Sequence, residues 1–284
     1  MAGKTGFRKN PSKLLRVGEG FQLSAQDTDA APGFDGRKRD SATVLALRAQ
    51  TLAELQEKLF AQAKFGGTAS VLLVLQAMDT AGKGGVISHV VGSVDPQGVQ
   101  LKAFKAPTKA ERSHDFLWRV RREAPRPGML GVFDRSHYED VLIQRVHATA
   151  PTEELDGRYD AINAFEAELA AQGTKVVKVM LNISPDTQKQ RLLARLDNPA
   201  KHWKYASSDL VERACWPEYM EAYQVALERT STEAAPWYVV PADKKWYARL
   251  AVQEILIQAL EGMGLHWPAG DFDPAEECRK LAAT

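Results

Sequence analysis

The segment Ser70–Gly85, SVLLVLQAMDTAGKGG, constrains the fold of this chain more than any other. An apolar run of strand length enters a turn that carries Gly82, Gly84, Gly85 and one lysine, Lys83. A buried strand followed by such a turn leaves backbone N–H groups without partners, and the next helix aims its positive end at the same place. With the charge of Lys83 added, the segment predicts an anion pocket of phosphate size. The usual phosphate-loop pattern, G-x-x-x-x-G-K-[ST], is matched incompletely. Ala77 occupies the first glycine position and Gly84 the position of the metal-binding hydroxyl. A metal would therefore need another hard oxygen, and Asp79, inside the loop, carries one. The plainer alternative is a glycine turn joining a strand to a helix, with Lys83 solvated.

The rest of the chain repeats the alternation of strand and helix. Helical patterning covers 41–64, where Leu45, Leu52, Leu55 and Leu59 form one stripe and Asp40 or Ser41 is the expected N-cap. Strands are expected at 70–78, 99–104, 129–133, 176–183 and 237–240. Further helices are expected at 83–94, 109–123, 159–171, 186–196, 208–228 (interrupted at Pro217) and, last, 245–262. This predicts an α/β fold, a parallel sheet with helices on both faces. Ligands of such sheets sit beyond the carboxyl ends of the strands. Asp79 and Lys83, Lys105, Asp134 and Arg135, and Asp243 each follow a strand, so all should gather at one edge. Residues 1–40 lack periodicity and read as an N-terminal arm, ordered against the body or a neighbouring subunit. Residues 41–284 read as a single domain.

Composition narrows the class without naming a partner. The 284 residues carry a net charge of +1, so only local clustering of charge is informative. Cys215 and Cys278 fit no metal spacing or disulfide framework and suit a reducing compartment. The basic N-terminal stretch has no apolar segment behind it, and no run reaches membrane-spanning length. A cytoplasmic protein is expected.

Charge does cluster. Between Lys102 and Arg126 stand eight Lys or Arg residues against three acids, and Lys189, Arg191, Arg195, Lys201 and Lys204 follow the fourth strand. Arg191 and Arg195, four apart, share a helical face. Beside a phosphate loop the second cluster reads as a lid, about 186–235, that brings arginines onto a phosphoryl group. Asp134, directly after an apolar strand, stands where phosphate-loop enzymes place a second metal-handling carboxylate, capping being the alternative. Two extended basic clusters suit a polyanion longer than a nucleotide, either inorganic polyphosphate or a nucleic-acid strand.

Five blocks in order resemble the polyphosphate kinase type 2 family: QAMDTAGKGG, FKAPTKAERSHDFLWR, GVFDRSHYEDVL, RLLARLDNPAKHWKYASSDLVERACWPEY and APWYVVPADKKW. The resemblance spans about residues 45–260. It implies a three-layer phosphate-loop kinase with a helical lid, transferring a terminal phosphoryl group reversibly between polyphosphate and a nucleotide with Mg2+. It implies that Asp79 and Asp134 hold the metal and that Lys83 bridges phosphates, within a loop formed by Gly82, Gly84 and Gly85. Arg135, Arg191 and Arg195 would neutralise developing charge, while Lys105, Lys201 and Lys204 would line the polyphosphate channel. His137, Tyr138 and Glu139 would shape the nucleotide side. The blocks are most similar to the subgroup accepting both AMP and ADP, although that subgroup often has an acid where Gly84 stands. Adenine is the implied base and guanine the alternative. The implied assembly is a homodimer or homotetramer, with neither nucleic acid nor membrane as partner. The competing readings are an ATP-dependent nucleotide kinase, whose basic clusters would be excessive, and a nucleic-acid-binding protein with a vestigial loop, in which the Asp79–Asp134 pairing has no purpose.

Overall fold

The computed structural model describes residues 6–284; the first five residues of the expected arm lie outside it. β1 (Ser70–Ala77), β2 (Val99–Ala103), β3 (Leu130–Asp134), β4 (Thr174–Asn182) and β5 (Trp237–Pro241) form one sheet in the order β2-β3-β1-β4-β5. Every neighbouring pair is parallel. The helices are α1 (Pro11–Leu14), α2 (Ser41–Lys64), α3 (Lys83–His89), α4 (Trp118–Arg121), α5 (Glu139–Val146), α6 (Thr152–Ala171), α7 (Pro185–Leu196), α8 (Ser208–Ala214), α9 (Trp216–Thr230), α10 (Lys245–Glu261) and α11 (Pro274–Ala282).

Alternation along the buried strands feeds two cores. Val71, Leu73 and Leu75 of β1 face one way and pack with Leu52 and Leu59 of α2, Val86 of α3, and Tyr247, Ala251 and Ile255 of α10. Leu72 and Val74 face the other way, toward Val141 of α5, Ile162 and Phe165 of α6, and Tyr223 of α9. The result is the three-layer α/β/α arrangement, with both sheet faces covered as parallel sheets require. Leu75 is in register with Asp134 and Ala77 with Leu181, so the loop after β1 emerges between the ends of β3 and β4.

The arm closes one edge of the sheet. Val17 donates to the Trp237 carbonyl and Val239 to the Leu15 carbonyl, both at 2.9 Å, forming an antiparallel bridge on β5. Leu15, Val17 and Leu23 are buried there. Covering β5 removes an open edge that could pair with another chain.

The structure departs from the sequence expectations at several places. The helix expected at 109–123 is a 3-10 turn at Glu111–Ser113 and the single-turn α4. Thr108 and Glu111 bond each other's amides, and the Asp115 carboxylate takes the Leu117 amide; these local bonds compete with the helix ladder. The helix after the loop ends at His89, not 94, and the Ser93 hydroxyl donates to the Val90 carbonyl. Three helices, α1, α5 and α11, were not anticipated, although the Asn10 cap before Pro11, Glu139 and Asp140 in the first turn of α5 and the Asp273 cap before Pro274 are ordinary start signals. Asp40 does precede α2, but its carboxylate accepts from the Arg37 amide instead of capping the helix. Among the described residues no helix is long and apolar enough to cross a membrane.

Candidate active site

The loop after β1 is built around two left-handed residues. Thr80 has φ +68° and Gly82 φ +124°; the second suits glycine alone, whereas the first is rare for a β-branched side chain. The Gly82 carbonyl accepts from Gly85 and Val86 and so starts α3. No backbone or side-chain group among the described residues accepts from the amides of Gly82, Lys83 or Gly84. These donors stay open for an anion. The Lys83 ammonium donates to the Ala77 carbonyl at 3.2 Å. Burial pushes its pKa down and Arg135 adds to the shift, while Asp134, Asp79 and Glu139 oppose it.

The end of β3 brings in the next groups. Arg135 also takes a left-handed conformation, φ +63°, and its amide donates to the Leu75 carbonyl. Its guanidinium lies 3.0 Å from Asp79 Oδ1 and 3.7 Å from Glu139 Oε2. Burial works against the Arg135 charge, but Glu139 and Asp79 outweigh it and hold the group firmly protonated. Asp134 Oδ1 and Thr80 Oγ1 are buried without a hydrogen-bond partner among the described residues.

The lid closes the remaining side. Ser184 caps α7 through the Thr187 amide. From α7, Arg191 reaches four backbone carbonyls: Thr80 at 3.0 Å, Ala81 at 2.9 Å, Ala242 at 2.7 Å and Asp243 at 2.9 Å. Arg195 makes one carbonyl bond, to Lys204 at 3.0 Å, and lies 3.6 Å from Asp209. Lys201 and Lys204 come from a 3-10 segment after α7.

Together these elements enclose a cavity of about 710 Å³. Its charged lining is Lys83, Arg135, Arg191, Arg195, Lys201, Lys204, Lys245 and Arg249 against Asp79 and Asp134. Lys245 and Arg249 escaped the sequence reading. They stand four apart on the first turns of α10, directly after β5, so the strand-end rule applied to Asp243 would have reached them. Burial, and then the cations around it, lower the Lys245 pKa. Asp243 itself does not line the cavity; it braces the surrounding loops by accepting from the Ser184 amide at 2.9 Å and the Thr28 hydroxyl at 2.7 Å.

A second cavity, of about 340 Å³, meets the first at Asp79 and Arg135. Glu139, Asp209, Glu212, Tyr219 and Tyr223 line it, with Met78, Leu142 and Ile143. Three residues named from the sequence are not brought to either cavity. Lys105, just after β2, is exposed and lines neither cavity; its carbonyl accepts from Arg119. His137 and Tyr138 turn inward and are fully buried: Tyr138 bonds Glu166 and Thr230, and His137 Nε2 lies 3.3 Å from Glu166 Oε1.

The profile of the polyphosphate kinase 2 (PPK2) family matches residues 36–266. The chain belongs to the polyphosphate kinase 2 family. Its relatives in that family include the AMP/ADP-polyphosphate phosphotransferase of Meiothermus ruber, 46% identical over 87% of this chain and 91% of the relative. The ADP-polyphosphate phosphotransferase of Rhodopseudomonas palustris is 42% identical over 92% and 93%. The crystal structure of polyphosphate kinase 2 from Arthrobacter aurescens TC1 superposes with a TM-score of 0.96 at 61% identity, covering 98% of each chain.

Phosphoryl transfer in a kinase family ordinarily uses a divalent metal. No group of three or more His, Cys, Asp or Glu forms a ligand cage among the described residues. Mg2+ is usually held by one or two carboxylates plus substrate phosphates and water. The unpartnered Asp134 Oδ1 beside the open loop amides fits such a site.

Proposed function

We propose that this chain is a Mg2+-dependent polyphosphate kinase that moves the terminal phosphoryl group of inorganic polyphosphate onto AMP or ADP, reversibly. The observation that carries this reading is the junction of the two cavities: a larger, cationic one and a smaller one lined by tyrosines and carboxylates share Asp79 and Arg135 beside the phosphate loop. The larger holds the polyanion; the smaller takes the nucleotide, with Tyr219 and Tyr223 offering aromatic surface to the base and Glu139 at its phosphate end. The names of the relatives support AMP and ADP as acceptors. The reading includes a cytoplasmic homo-oligomer acting on adenine nucleotides; both cysteines are free, which suits a reducing compartment.

The chemistry needs little from the protein beyond position and charge. An acceptor phosphate oxygen is already ionised near neutral pH, its second pKa being about 6, so no general base is required. That oxygen forms a bond to the terminal phosphorus while the bond to the rest of the polyphosphate breaks, and the shortened chain leaves carrying the negative charge. Lys83 and the amides of Gly82–Gly84 hold the phosphates in line; Arg135 and Arg195 neutralise charge that spreads over the transferred group. Asp134 and Asp79 would hold Mg2+, which supplies charge neutralisation between neighbouring phosphates when bound. Lys201, Lys204, Lys245 and Arg249 bind the body of the chain without reading its length.

An endpoint assay tests the reading. Purified protein, Mg2+ and long-chain polyphosphate are incubated separately with AMP and with ADP, and nucleotides are resolved by chromatography. ADP from AMP and ATP from ADP are expected, with loss of both on chelation and recovery on adding Mg2+. Folded protein that gives no product from either nucleotide overturns it.

A further inference from the structure

We infer that Arg191 is a positioning residue, which holds the phosphate loop in its strained shape through backbone carbonyls and does not itself contact the transferring phosphoryl group. The inference rests on the phosphotransferase reading above and deepens it. A guanidinium has five N–H donors, four of them on its two terminal nitrogens. In Arg191 those two nitrogens meet four carbonyls within 3.0 Å, two in the phosphate loop (Thr80, Ala81) and two in the turn after β5 (Ala242, Asp243). Little of the fork remains for a phosphate.

What the fork holds is the part of the loop that needs holding. Thr80 sits at φ +68°, where a β-branched residue stays only if its surroundings keep it there. The C=O and N–H of one trans peptide point in opposite directions. Drawing the Ala81 carbonyl to Arg191 therefore turns the Gly82 amide away from the guanidinium and leaves it free as an anion donor. The anchorage continues along α7. Gln188, one turn earlier, donates to the Asp79 carbonyl at 3.3 Å and is itself held by Arg213 of α8 at 2.9 Å. Arg213 also bonds the Pro185 carbonyl at 2.7 Å. Three consecutive loop carbonyls, of Asp79, Thr80 and Ala81, are thus tied to one helix of the lid. Arg195, one turn onward with a single carbonyl bond, keeps donors for phosphate.

The test compares charge with shape. Arg191→Lys keeps the charge but loses the planar fork. If Arg191 positions the loop, Arg191→Lys and Arg191→Ala both lower kcat by about 100-fold, the scale set by a misplacement of about 1 Å. The KM for polyphosphate stays within about threefold, and its dependence on salt keeps its slope because no phosphate contact is lost. Hydrogen exchange rises across residues 79–86. Arg195→Ala should instead flatten the salt slope and leave that exchange unchanged. The loss caused by Arg191→Lys should shrink several-fold in a Thr80→Gly background, since glycine adopts positive φ without support. Near-normal kcat in Arg191→Lys overturns the inference. So does a raised polyphosphate KM with a flattened salt slope and unchanged exchange in Arg191→Ala. Should Arg191→Ala not fold, Gln188→Leu, which removes the bond to the Asp79 carbonyl together with the Arg213 bond that braces it, is read by the same exchange and kcat, and no change in either overturns the inference. An inactive wild-type protein would end the phosphotransferase reading, whereas the exchange comparison still decides whether Arg191 holds the loop.

Discussion

At the scale of the residue, Lys83 and Asp134 face the same small volume for opposite reasons. Lys83 is a cation whose burial, with Arg135 beside it, lowers its pKa, a shift the neighbouring carboxylates oppose without reversing. Asp134 has a buried oxygen with no partner among the described residues, a costly state unless something binds there in the working enzyme. Lys83→Ala and Asp134→Asn should each lower kcat by about 10²–10³, the scale of losing one preorganised charge-stabilising group. Thermal unfolding should move little, because neither side chain packs the core. Steady-state rates with polyphosphate and ADP, read beside a thermal melt, check this; near-normal turnover in either variant removes that residue from the site.

Among the elements, one buried network ties the turn after β3 to its surroundings. Lys178 of β4 donates to Glu166 of α6 at 2.5 Å, to the Tyr138 hydroxyl at 2.9 Å and to the Thr230 carbonyl at the end of α9 at 2.6 Å. Trp237 of β5 donates to the Thr230 hydroxyl. The network explains why His137 and Tyr138 face inward while Arg135 and Glu139, on the same turn, face the cavities. Burial raises the Glu166 pKa, but Lys178 and His137 outweigh it and hold the carboxyl below its ordinary value of 4.5. A carboxyl so lowered contributes stability that is complete above the unfolded pKa and is lost as pH falls through the folded one. The acid limb from Glu166 therefore lies below pH 4.5. Glu166→Gln, by leaving Lys178 buried and unpaired, should cost about 3–5 kcal/mol in urea unfolding at neutral pH. Adding Lys178→Met should recover part of that loss. A single variant as stable as wild type would show the pair to be dispensable.

For the whole molecule, charge is distributed unevenly. The chain carries +1 overall, yet eight cations and two carboxylates line one cavity, so the remaining surface is on balance acidic. A field focused in this way should draw in a polyanion and reject nonspecific partners. The KM for long-chain polyphosphate should rise about tenfold or more between 50 and 200 mM salt, in the manner of any multi-phosphate contact. The KM for AMP or ADP should change much less. Equal sensitivity of both constants would mean that the cationic cavity does not hold the chain.

From the sequence by itself come the alternation of strand and helix, the loop at Asp79–Gly85, the acid at Asp134 and the lid cations. These are legible because apolar periodicity, turn chemistry and the strand-end rule are local. Most strand and helix boundaries fall within a few residues of expectation for the same reason. Segment 109–123 fails because Thr108, Glu111 and Asp115 offer the backbone side-chain partners that helical patterning does not register. The tertiary structure alone decides the order β2-β3-β1-β4-β5, which sets Asp134 beside the phosphate loop. It also decides which way a side chain faces. Lys105 follows a strand yet lines neither cavity, Lys178 looks like any strand lysine yet is buried, and Arg191 lies on the lid yet bonds carbonyls. Those outcomes depend on packing between segments far apart in the chain, where burial and partner geometry outweigh local preference.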